Sequence, residues 1–403
     1  MKILVINSGS SSVKYQLFQM PEETVIARGL LEKIGEENSF FCQKSIKGEI
    51  ELKNQIKNHE DGINFIISML TDSIHGVISS VNEIEGIGHR VVHGGEEFNG
   101  SVCITTEVVQ KIEAYSDLAP LHNPPNLMGI KATQKCIPGA IQAACFDTAF
   151  HQSIPQKAYL YAIPYSLYEQ YHIRRYGFHG TSHRYVAMRC SSIMREKIHV
   201  LNMITCHLGN GCSIAAIEKG RSVDTSMGFT PLEGLIMGTR SGDIDPAVLF
   251  YLENKGYTCS DLNDLLNKKS GLAGISGVSN DMRNLFKEKE NGNTRAALAI
   301  DMFCYRLRKY IGSYLAVLKQ TDAVIFTGGI GENNAYIRRE SLQGLDALGI
   351  VFNDDRNQNI QRGHDSCISD DSSRIKVFVI PTNEELGIAI DTYEIAQRSK
   401  HKE

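Results

Sequence analysis

The first eighteen residues constrain the fold more than any other part of this 403-residue chain. Lys2–Asn7 alternates apolar residues and ends in Asn, Ser8–Ser12 is a run of small residues, and Val13–Phe18 has the pattern of a second strand. Gly9 permits a tight turn, and the serines around it offer hydroxyl and backbone N–H donors beside the cation of Lys14. The stretch predicts a β-hairpin whose turn can bind a phosphate. An ordinary polar hairpin turn is the alternative.

A second stretch repeats this pattern. Asn202–Ile217 again has the order strand, Gly-rich turn, strand, with His207 in the place of Asn7 and Gly209 in the place of Gly9. Such a repeat indicates a duplicated structural unit. Two turns of this kind can hold the phosphates of a nucleotide from two sides.

Both stretches resemble signatures of a known family. V-I-N-S-G-S-S-S-V-K resembles the N-terminal signature of the acetate kinase family, and I-T-C-H-L-G-N-G-C-S-I-A-A-I-E-K-G resembles its second signature. The resemblance runs from Met1 to the last predicted helix. It implies an α/β fold of two duplicated actin-like (ribonuclease H-like) domains with a nucleotide cleft between them, as in the superfamily of sugar kinases, heat-shock cognate ATPases and actin.

The chain length favours two domains, and the alternation of strands with helices favours the α/β class. We expect a domain boundary near residue 150, and the resemblance implies that the last helix returns to domain I. Domain I is then residues 1–150 with residues 384–403, and a nucleotide-binding domain II is residues 151–383. Predicted strands are the hairpin strands and Thr24–Leu31, Ser39–Ile46, Glu49–Lys53, Ile84–Val92, Ala140–Phe146, Ala323–Thr327 and Ile375–Ile380. Predicted helices are Gly62–Thr71, Leu127–Cys136 with Asn123 as its cap, Asp245–Asn254, Thr294–Gln320 and Leu386–Gln397. Predicted loops are Tyr176–His183, Gly228–Arg240 and Gly328–Asn333.

The composition excludes some classes of binding partner and indicates the cellular compartment. The net charge of −4 argues against a nucleic-acid or anionic-membrane partner, and no apolar run is long enough to span a bilayer. None of the ten cysteines forms a C-x-x-C motif, so we expect most to be reduced core residues in the cytoplasm. The apolar surface of Thr294–Gln320 suits a subunit or domain interface, and a central core helix is an equal alternative. We also expect a homodimer.

Three positive side chains are candidates for phosphoryl transfer, and for any one of them alone a surface salt bridge is the alternative interpretation. This reaction needs stabilisation of charge more than covalent chemistry, and Arg90, His179 and Arg240 each lie beside glycine residues. Neither a P-loop motif nor a dinucleotide fingerprint is present. The patterns GHRVVHGG, YGFHGTSH and MGTRSGDIDP resemble the family at all three places. The resemblance implies that Arg90 binds the acetate carboxylate and that His179 and Arg240 stabilise the transferring phosphoryl group.

Asp147 follows a predicted buried strand, and the resemblance implies that it is catalytic. Acetate is ionised near neutral pH and needs no general base, so we expect Asp147 to orient Arg90 or a Mg²⁺-bound water instead of carrying a proton. The resemblance implies that Asn7 and Glu384 lie at the edge of a Mg²⁺ site, in which Mn²⁺ can substitute. Mg²⁺ takes few protein ligands beside a nucleotide, which agrees with so small a set.

The resemblance also implies the contacts of ATP or ADP, which serve as substrates. These residues are Lys14, His207, Leu208, Gly209, Asn210, Gly211, Asp281, Met282, Arg283, Gly329, Ile330, Gly331, Glu332 and Asn333. The acceptor-binding set beside Arg90 is Val92, Leu121, His122, Phe178 and Pro231. Its apolar members resemble a small methyl pocket, which discriminates one methylene by only about 1–3 kcal/mol. Propionate should therefore be a poorer substrate.

These patterns predict an acetate kinase activity, with direct transfer of the γ-phosphoryl group of ATP to acetate. Propionate kinase and butyrate kinase are alternatives within the class. A non-catalytic nucleotide-binding module of the actin type is the alternative from another class, and it leaves Arg90, Asp147, His179 and Arg240 unexplained.

Overall fold

The structure is a computed structural model that describes residues 1–400. The chain divides into two compact units: Met1–Gln152 together with the chain from Asn383 onward, and Ser153–Thr382. Each unit is built on one mixed β-sheet with helices, so the predicted α/β class is confirmed. Among the described helices, none combines the length and the hydropathy that a membrane span requires.

The first unit contains an eight-stranded sheet. Its strands are β1 (Lys2–Ser8), β2 (Ser12–Gln19), β3 (Thr24–Glu32), β4 (Ser39–Ser45), β5 (Gly48–Asn54), β6 (Ile84–Val91), β7 (Val102–Cys103) and β8 (Ile141–Phe146). Its helices are α1 (His59–Leu70), α2 (Thr106–Ala114), α3 (Asn123–Cys136) and the final helix α15 (Glu384–Lys400). The strand order is β5-β4-β3-β2-β1-β6-β8-β7, antiparallel from β5 to β1 and parallel across β1, β6 and β8.

The second unit contains a six-stranded sheet. Its strands are β9 (Asn202–Leu208), β10 (Cys212–Glu218), β11 (Arg221–Thr225), β12 (Ala323–Thr327), β13 (Ser366–Cys367) and β14 (Lys376–Val379). Its helices are α4 (Gln156–Tyr159), α5 (Tyr165–Tyr171), α6 (Gly180–Met194), α7 (Ala247–Glu253), α8 (Cys259–Lys268), α9 (Gly271–Ser276), α10 (Met282–Glu290), α11 (Thr294–Leu318), α12 (Gly328–Asn333), α13 (Ala335–Leu342) and α14 (Asp354–Gln358).

The two sheets share one topology. In the second sheet the order is β11-β10-β9-β12-β14-β13, with β11, β10 and β9 antiparallel and β9, β12 and β14 parallel. The first sheet repeats this as β3-β2-β1-β6-β8-β7, and a short antiparallel strand closes both series. The hairpins β1–β2 and β9–β10 therefore occupy equivalent places, which confirms the predicted duplication.

Burial follows the expected periodicities. In β1 and β2 the residues that face α1 and α3 form one core cluster, which includes Leu4, Ile6, Val13 and Leu17. Helix α11 buries a stripe at helical spacing, from Ala299 and Phe303 to Leu307 and Ile311. These apolar faces hold each sheet against its helices.

Three local predictions are wrong. Asn123 is the first residue of α3 and not its cap, because its side chain hydrogen-bonds the backbone of His93. Gly328–Asn333 is the short helix α12 and not a loop. Helix α6 begins at Gly180, inside the predicted loop Tyr176–His183.

The positions of the cysteines agree only in part with the expectation that most are reduced core residues. None of the ten, all of which lie within residues 1–400, is joined in a disulfide. Five are buried: Cys145, Cys190, Cys206, Cys212 and Cys304. The expectation that most are core residues is therefore wrong, because the other half line strands and helices at or near the surface.

Candidate active site

The turn of the first hairpin is held by backbone and side-chain hydrogen bonds. Asn7 pairs with Lys14 across β1 and β2, and the N–H of Gly9 donates to the carbonyl of Ser12 at 2.8 Å. His59, the first residue of α1, lies with its Nε2 2.7 Å from the carbonyl oxygen of Gly9. His59 could not be found from the sequence, because its contact with Gly9 depends on the packing of α1 against the turn.

Arg90 and Asp147 meet where two parallel strands end. Arg90 is the penultimate residue of β6, and Asp147 directly follows β8. The guanidinium donates from Nε to Oδ1 at 2.9 Å and from Nη2 to Oδ2 at 2.7 Å, which is a bidentate pair. Asp147 raises the pKa of the Arg90 guanidinium above its usual range, so Arg90 is a permanent cation. Its Nη1 has no hydrogen-bond partner among residues 1–400.

Helix α15 brings Glu384 to the same place. The Glu384 carboxylate lies 3.9 Å from Nε of Arg90. Burial raises the pKa of this carboxyl, and the charge of Arg90 opposes that rise. The helix can approach β6 because Gly88 has no side chain: a Cβ there would lie 2.5 Å from Ile388 Cγ2. The G-I-G sequence of β6 therefore positions a carboxylate from the end of the chain beside Arg90.

The other residues of the first unit that are predicted to bind the acceptor lie on two segments. Val92 follows β6 and is half-buried, and its N–H donates to Asn126 Oδ1 at 3.1 Å. Leu121 and His122 precede α3 and are exposed, Leu121 by 71%. Within this unit, Leu121 therefore lies in the open and not in an apolar cavity.

His179 and Arg240 meet at the turn of the second hairpin. A Cβ on Gly211 would lie 3.4 Å from Nη2 of Arg240 and 3.4 Å from Cε1 of His179, so glycine leaves room for both side chains. Nη1 of Arg240 donates to the carbonyl of Pro231 at 2.6 Å. Arg240 is half-buried, forms no ion pair with a carboxylate of the described chain, and has its guanidinium pKa lowered by burial. A cation in these surroundings is well suited to binding an anion.

A buried network orients His179. Its Nδ1 is 2.9 Å from Ser213 Oγ, which lies 2.7 Å from Nε2 of His183, and the other ring nitrogen of His183 is 2.7 Å from Thr205 Oγ1. The His179 ring stacks on that of His207 at a centroid distance of 4.3 Å. His179 has φ of +55°, a left-handed conformation that non-glycine residues seldom adopt. Ser213 and His183 lie within the two family-like motifs, but the residue pattern alone does not reveal that they orient His179.

The loop that carries Pro231 is fixed by an arginine. Arg175 donates from Nη1 to the carbonyl oxygens of Thr225, Ser226 and Met227, and from Nη2 to Glu233 at 2.6 Å. Phe178, directly before His179, is buried. Phe178 therefore lies next to His179 in the chain, and Pro231 lies next to Arg240 in space.

Most of the predicted nucleotide contacts line one cavity of about 440 Å³. They are Gly209, Asn210, Asp281, Met282, Arg283, Gly329, Ile330 and Asn333. Asn280, Asn334 and Arg362 line it as well, and the sequence analysis missed them. The volume lies in the range of small-molecule sites. Asp281 pairs with Arg283, whose hydrogen bonds lower the pKa of that carboxyl to about 2.

Six predicted contacts do not line this cavity: Lys14, His207, Leu208, Gly211, Gly331 and Glu332. Leu208 is fully buried in β9. Glu332 uses Oε1 to accept from the N–H of Gly328 at 2.9 Å and of Thr382 at 3.1 Å. Its carboxylate therefore joins the start of α12 to Thr382, in the segment between β14 and α15.

Two α/β units of one strand order, each with a hairpin turn beside candidate site residues, define the actin-like class of fold. Comparison with known proteins narrows the class. The family model described as the acetokinase family matches residues 2–390. The chain therefore belongs to the acetokinase family.

Individual relatives agree with this family. The chain is 53% identical over 399 residues to an acetate kinase of Halothermothrix orenii, covering 98% of this chain and all of the relative. Among solved structures it is similar to Porphyromonas gingivalis acetate kinase, with a TM-score of 0.95 and 47% identity over 98% of this chain and 99% of the other. It is also similar to a propionate kinase of Francisella tularensis, with a TM-score of 0.91 and 42% identity over the same shares of the two chains.

Proposed function

We propose that this chain is an enzyme that transfers the γ-phosphoryl group of ATP reversibly and directly to acetate, giving acetyl phosphate and ADP. The observation that carries the proposal is the contrast between its two site arginines. Arg90 is bound by Asp147 along one edge of its guanidinium, and Arg240 is half-buried without a carboxylate partner in residues 1–400. The first arrangement suits a carboxylate acceptor, and the second suits a phosphoryl group.

Arg90 would bind the acceptor. Asp147 occupies Nε and Nη2, which leaves Nη1 to donate to an acetate oxygen. Because acetate is already an anion, the nucleophilic oxygen needs no proton removed. Asp147, with both oxygens committed to Arg90, acts by holding the guanidinium in place. Val92, Leu121, His122, Phe178 and Pro231 would contact the acetate methyl group and its surroundings.

Arg240 and His179 would stabilise the transferring group. A phosphoryl group passes through a transition state whose charge is spread over three oxygens, and donors fixed in advance stabilise it most. The Pro231 carbonyl fixes Arg240, and Ser213 fixes His179. The neighbouring cavity at Gly209, Asp281–Arg283 and Gly329–Asn333 would hold ATP or ADP, with Lys14, His207 and the second hairpin turn near the phosphates.

Asn7 and Glu384 suit a Mg²⁺ site, in which Mn²⁺ could substitute. Both offer oxygen ligands, and no cluster of three or more His, Cys, Asp or Glu side chains able to hold a metal exists among residues 1–400. Mg²⁺ beside a nucleotide is usually bound by one or two protein groups together with phosphate oxygens and water. When bound, it would neutralise phosphate charge. Glu384 has a half-buried carboxyl that a cation would help to keep ionised.

An acceptor panel tests this function. Purified protein with ATP and Mg²⁺ should release ADP in the presence of acetate, less efficiently with propionate, and least with butyrate. The similarity to a propionate kinase makes propionate the second candidate acceptor. Equal or higher kcat/KM for propionate would reassign the acceptor. ATP binding without acceptor-dependent ADP release would identify a non-catalytic nucleotide-binding module.

We also propose a homodimer in the cytoplasm. Leu298, Met302 and Tyr305 lie at helical spacing on α11 and are exposed, although the opposite face of that helix is buried. Such an apolar stripe suits a second copy of this chain. Sedimentation should give twice the 44.8 kDa chain mass, and Tyr305→Glu together with Met302→Glu should give the monomer.

The proposal of a cytoplasmic location rests on the cysteines. Ten thiols without a disulfide support a reducing compartment.

A further inference from the structure

A buried carboxamide joins the ends of β1 and β6. These parallel strands are paired as far as Ile6 and His89, and beyond that point no strand pairing continues between them. Asn126 of α3 lies across the gap. Its Nδ2 donates to the carbonyl of Ser8 at 2.8 Å, and its Oδ1 accepts from the N–H of Val92 at 3.1 Å. One side-chain amide thus supplies the donor and the acceptor that a neighbouring strand would supply.

The two backbone groups that Asn126 joins flank candidate site residues. Ser8 directly follows Asn7, which is proposed to lie beside the metal site, and Val92 lies two residues beyond Arg90. Asn126 is only 4% exposed, so its hydrogen bonds are formed away from water. Loss of one such bond costs more in the interior than at the surface, because a buried donor or acceptor is left unsatisfied.

The same helix provides a second carboxamide with a narrower role. Asn123 lies three residues earlier, on the same face of the first turn of α3. Its Oδ1 accepts from the N–H of His93 at 3.1 Å, and its Nδ2 donates to the carbonyl of His93 at 3.0 Å. Asn123 therefore holds the segment after β6 but has no hydrogen bond to β1.

We propose that Asn126 is a positioning residue, which fixes the distance between the Asn7 end of β1 and the Arg90–Val92 end of β6. The proposal rests on the function proposed above, since it concerns the acceptor and metal positions of that reaction. Asn126 touches neither the acceptor nor the nucleotide. It sets both strand ends at once, so its loss disturbs the binding of acetate and of the metal–nucleotide together.

The test compares Asn126→Asp with Asn123→Asp. An aspartate keeps the acceptor but replaces the NH₂ donor by an oxygen, which faces the Ser8 carbonyl in one variant and the His93 carbonyl in the other. Asn126→Asp should raise the KM for acetate and the Kd of Mn²⁺ in the presence of ADP, each about tenfold. Asn123→Asp should raise the KM for acetate and leave the Mn²⁺ Kd unchanged. Electron paramagnetic resonance of free Mn²⁺ gives that Kd without turnover.

Ser39→Ala controls for loss of stability alone. Ser39 is a buried polar residue of β4 whose hydroxyl donates to the carbonyl of Lys33 at 2.9 Å and accepts from the N–H of Ile56 at 3.3 Å, away from the ends of β1 and β6. It should lower the unfolding temperature with acetate KM and Mn²⁺ Kd unchanged. Asn126→Ala, which leaves space for water, is the second test variant.

Each result decides a separate point. If the wild-type protein shows no acetate-dependent ADP release, the proposed function fails. If the wild type is active and a folded Asn126 variant binds acetate and Mn²⁺–ADP as the wild type does, the positioning role fails. It also fails if neither Asn126 variant folds, since Asn126 would then be a purely structural residue.

Discussion

At the scale of single residues, the two arginines of the proposed site differ in what surrounds them. Arg90 has a carboxylate that fixes its orientation, whereas Arg240 is fixed by a backbone carbonyl and keeps its charge for a ligand. The sequence could indicate both residues, because each lies beside glycines in a motif. It could not indicate their partners, since the Arg90–Asp147 pair joins residues 57 positions apart.

Arg240 gives the most direct test of charge stabilisation. Arg240→Ala should lower kcat on the order of 10³-fold if the guanidinium acts as an arginine finger does. Arg240→Lys should recover little, because a point charge cannot reach the Pro231 carbonyl and a phosphoryl oxygen in the same fork. Steady-state kinetics measure both. Arg356→Lys, at an exposed ion pair with Asp371, is the matched control and should have wild-type kcat. Near-normal turnover of Arg240→Lys would contradict the bidentate role.

Asp147 separates an orienting carboxylate from a proton carrier. Asp147→Asn keeps the shape of the side chain and removes the charge that holds Arg90. We expect a KM for acetate raised by roughly 10–100-fold, from the loss of a charged hydrogen-bonded pair. The shape of the pH profile of kcat/KM should stay as in the wild type. If one limb of that profile disappears in the variant, Asp147 carries a proton and our interpretation is wrong.

His89 predicts a dependence of stability on pH. It is buried between β6 and α3, where loss of hydration lowers its pKa to about 4 from the ordinary value of 6.5. The unfolded chain then binds a proton more readily than the folded one between these values, so stability is full above pH 6.5 and falls as the pH drops towards 4. From pH 7 to pH 5 this one histidine should cost about 2 kcal/mol of unfolding free energy.

Denaturant unfolding of the wild type and of His89→Gln at both pH values measures that cost. The variant lacks the titrating group, so its stability should fall less than that of the wild type by this amount. An equal fall in both proteins would mean that His89 is not the source.

At the scale of elements, the strands were more predictable than the short helices. Alternating apolar residues and Gly-rich turns are local signals, and the hairpins β1–β2 and β9–β10 follow them closely. Helix α12 was missed because three glycines in six residues favour a loop. Its geometry depends instead on Glu332, whose carboxylate accepts the N–H groups of Gly328 and Thr382.

The prediction for Asn123 was wrong and the prediction of the cavity lining was incomplete, both because of contacts between distant parts of the chain. An Asn before two prolines is typical of a helix cap, yet a tertiary partner, the His93 backbone, takes its side chain. Arg362 reaches the cavity from a segment with no motif. Contacts of this kind become visible only once distant parts of the chain are brought together.

Glu332 supplies a prediction at this scale. Glu332→Gln keeps one acceptor oxygen but loses the charge that strengthens two backbone hydrogen bonds. Helix α12 should then be held less firmly, and the Kd of ADP should rise roughly tenfold. The KM for acetate should not change. Calorimetric titration with ADP measures the first quantity, and an unchanged Kd would show that α12 is held by other contacts.

At the scale of the whole molecule, the repeat of one motif at two places in the sequence predicted a duplicated architecture. The matching strand orders of the two sheets confirm it. The prediction succeeded because the hairpin is part of a larger folding unit, and both sheets contain that whole unit: the hairpin and the parallel strands beside it. This plan accounts for part of the site: Arg90 lies near the end of β6 and Asp147 follows β8. Glu384 instead begins α15, and His179 directly precedes α6.

The central claim is that the phosphoryl group passes directly from ATP to an acetate bound at Arg90, with no phosphorylated carboxylate on the protein. Glu384 and Asp147 are the carboxylates that could form such an intermediate. Both have other roles in our account, Asp147 in orienting Arg90 and Glu384 beside the metal. A bound acetate already supplies a nucleophile, so a second one would gain nothing from proximity.

ATP made chiral at its γ-phosphorus with oxygen isotopes tests this claim most directly. The configuration of the acetyl phosphate formed from it is read after stereospecific transfer to a reference acceptor. One direct in-line transfer inverts the configuration at phosphorus, and we predict net inversion. Net retention would require two successive transfers and would make Glu384 or Asp147 the nucleophile, which would contradict the account.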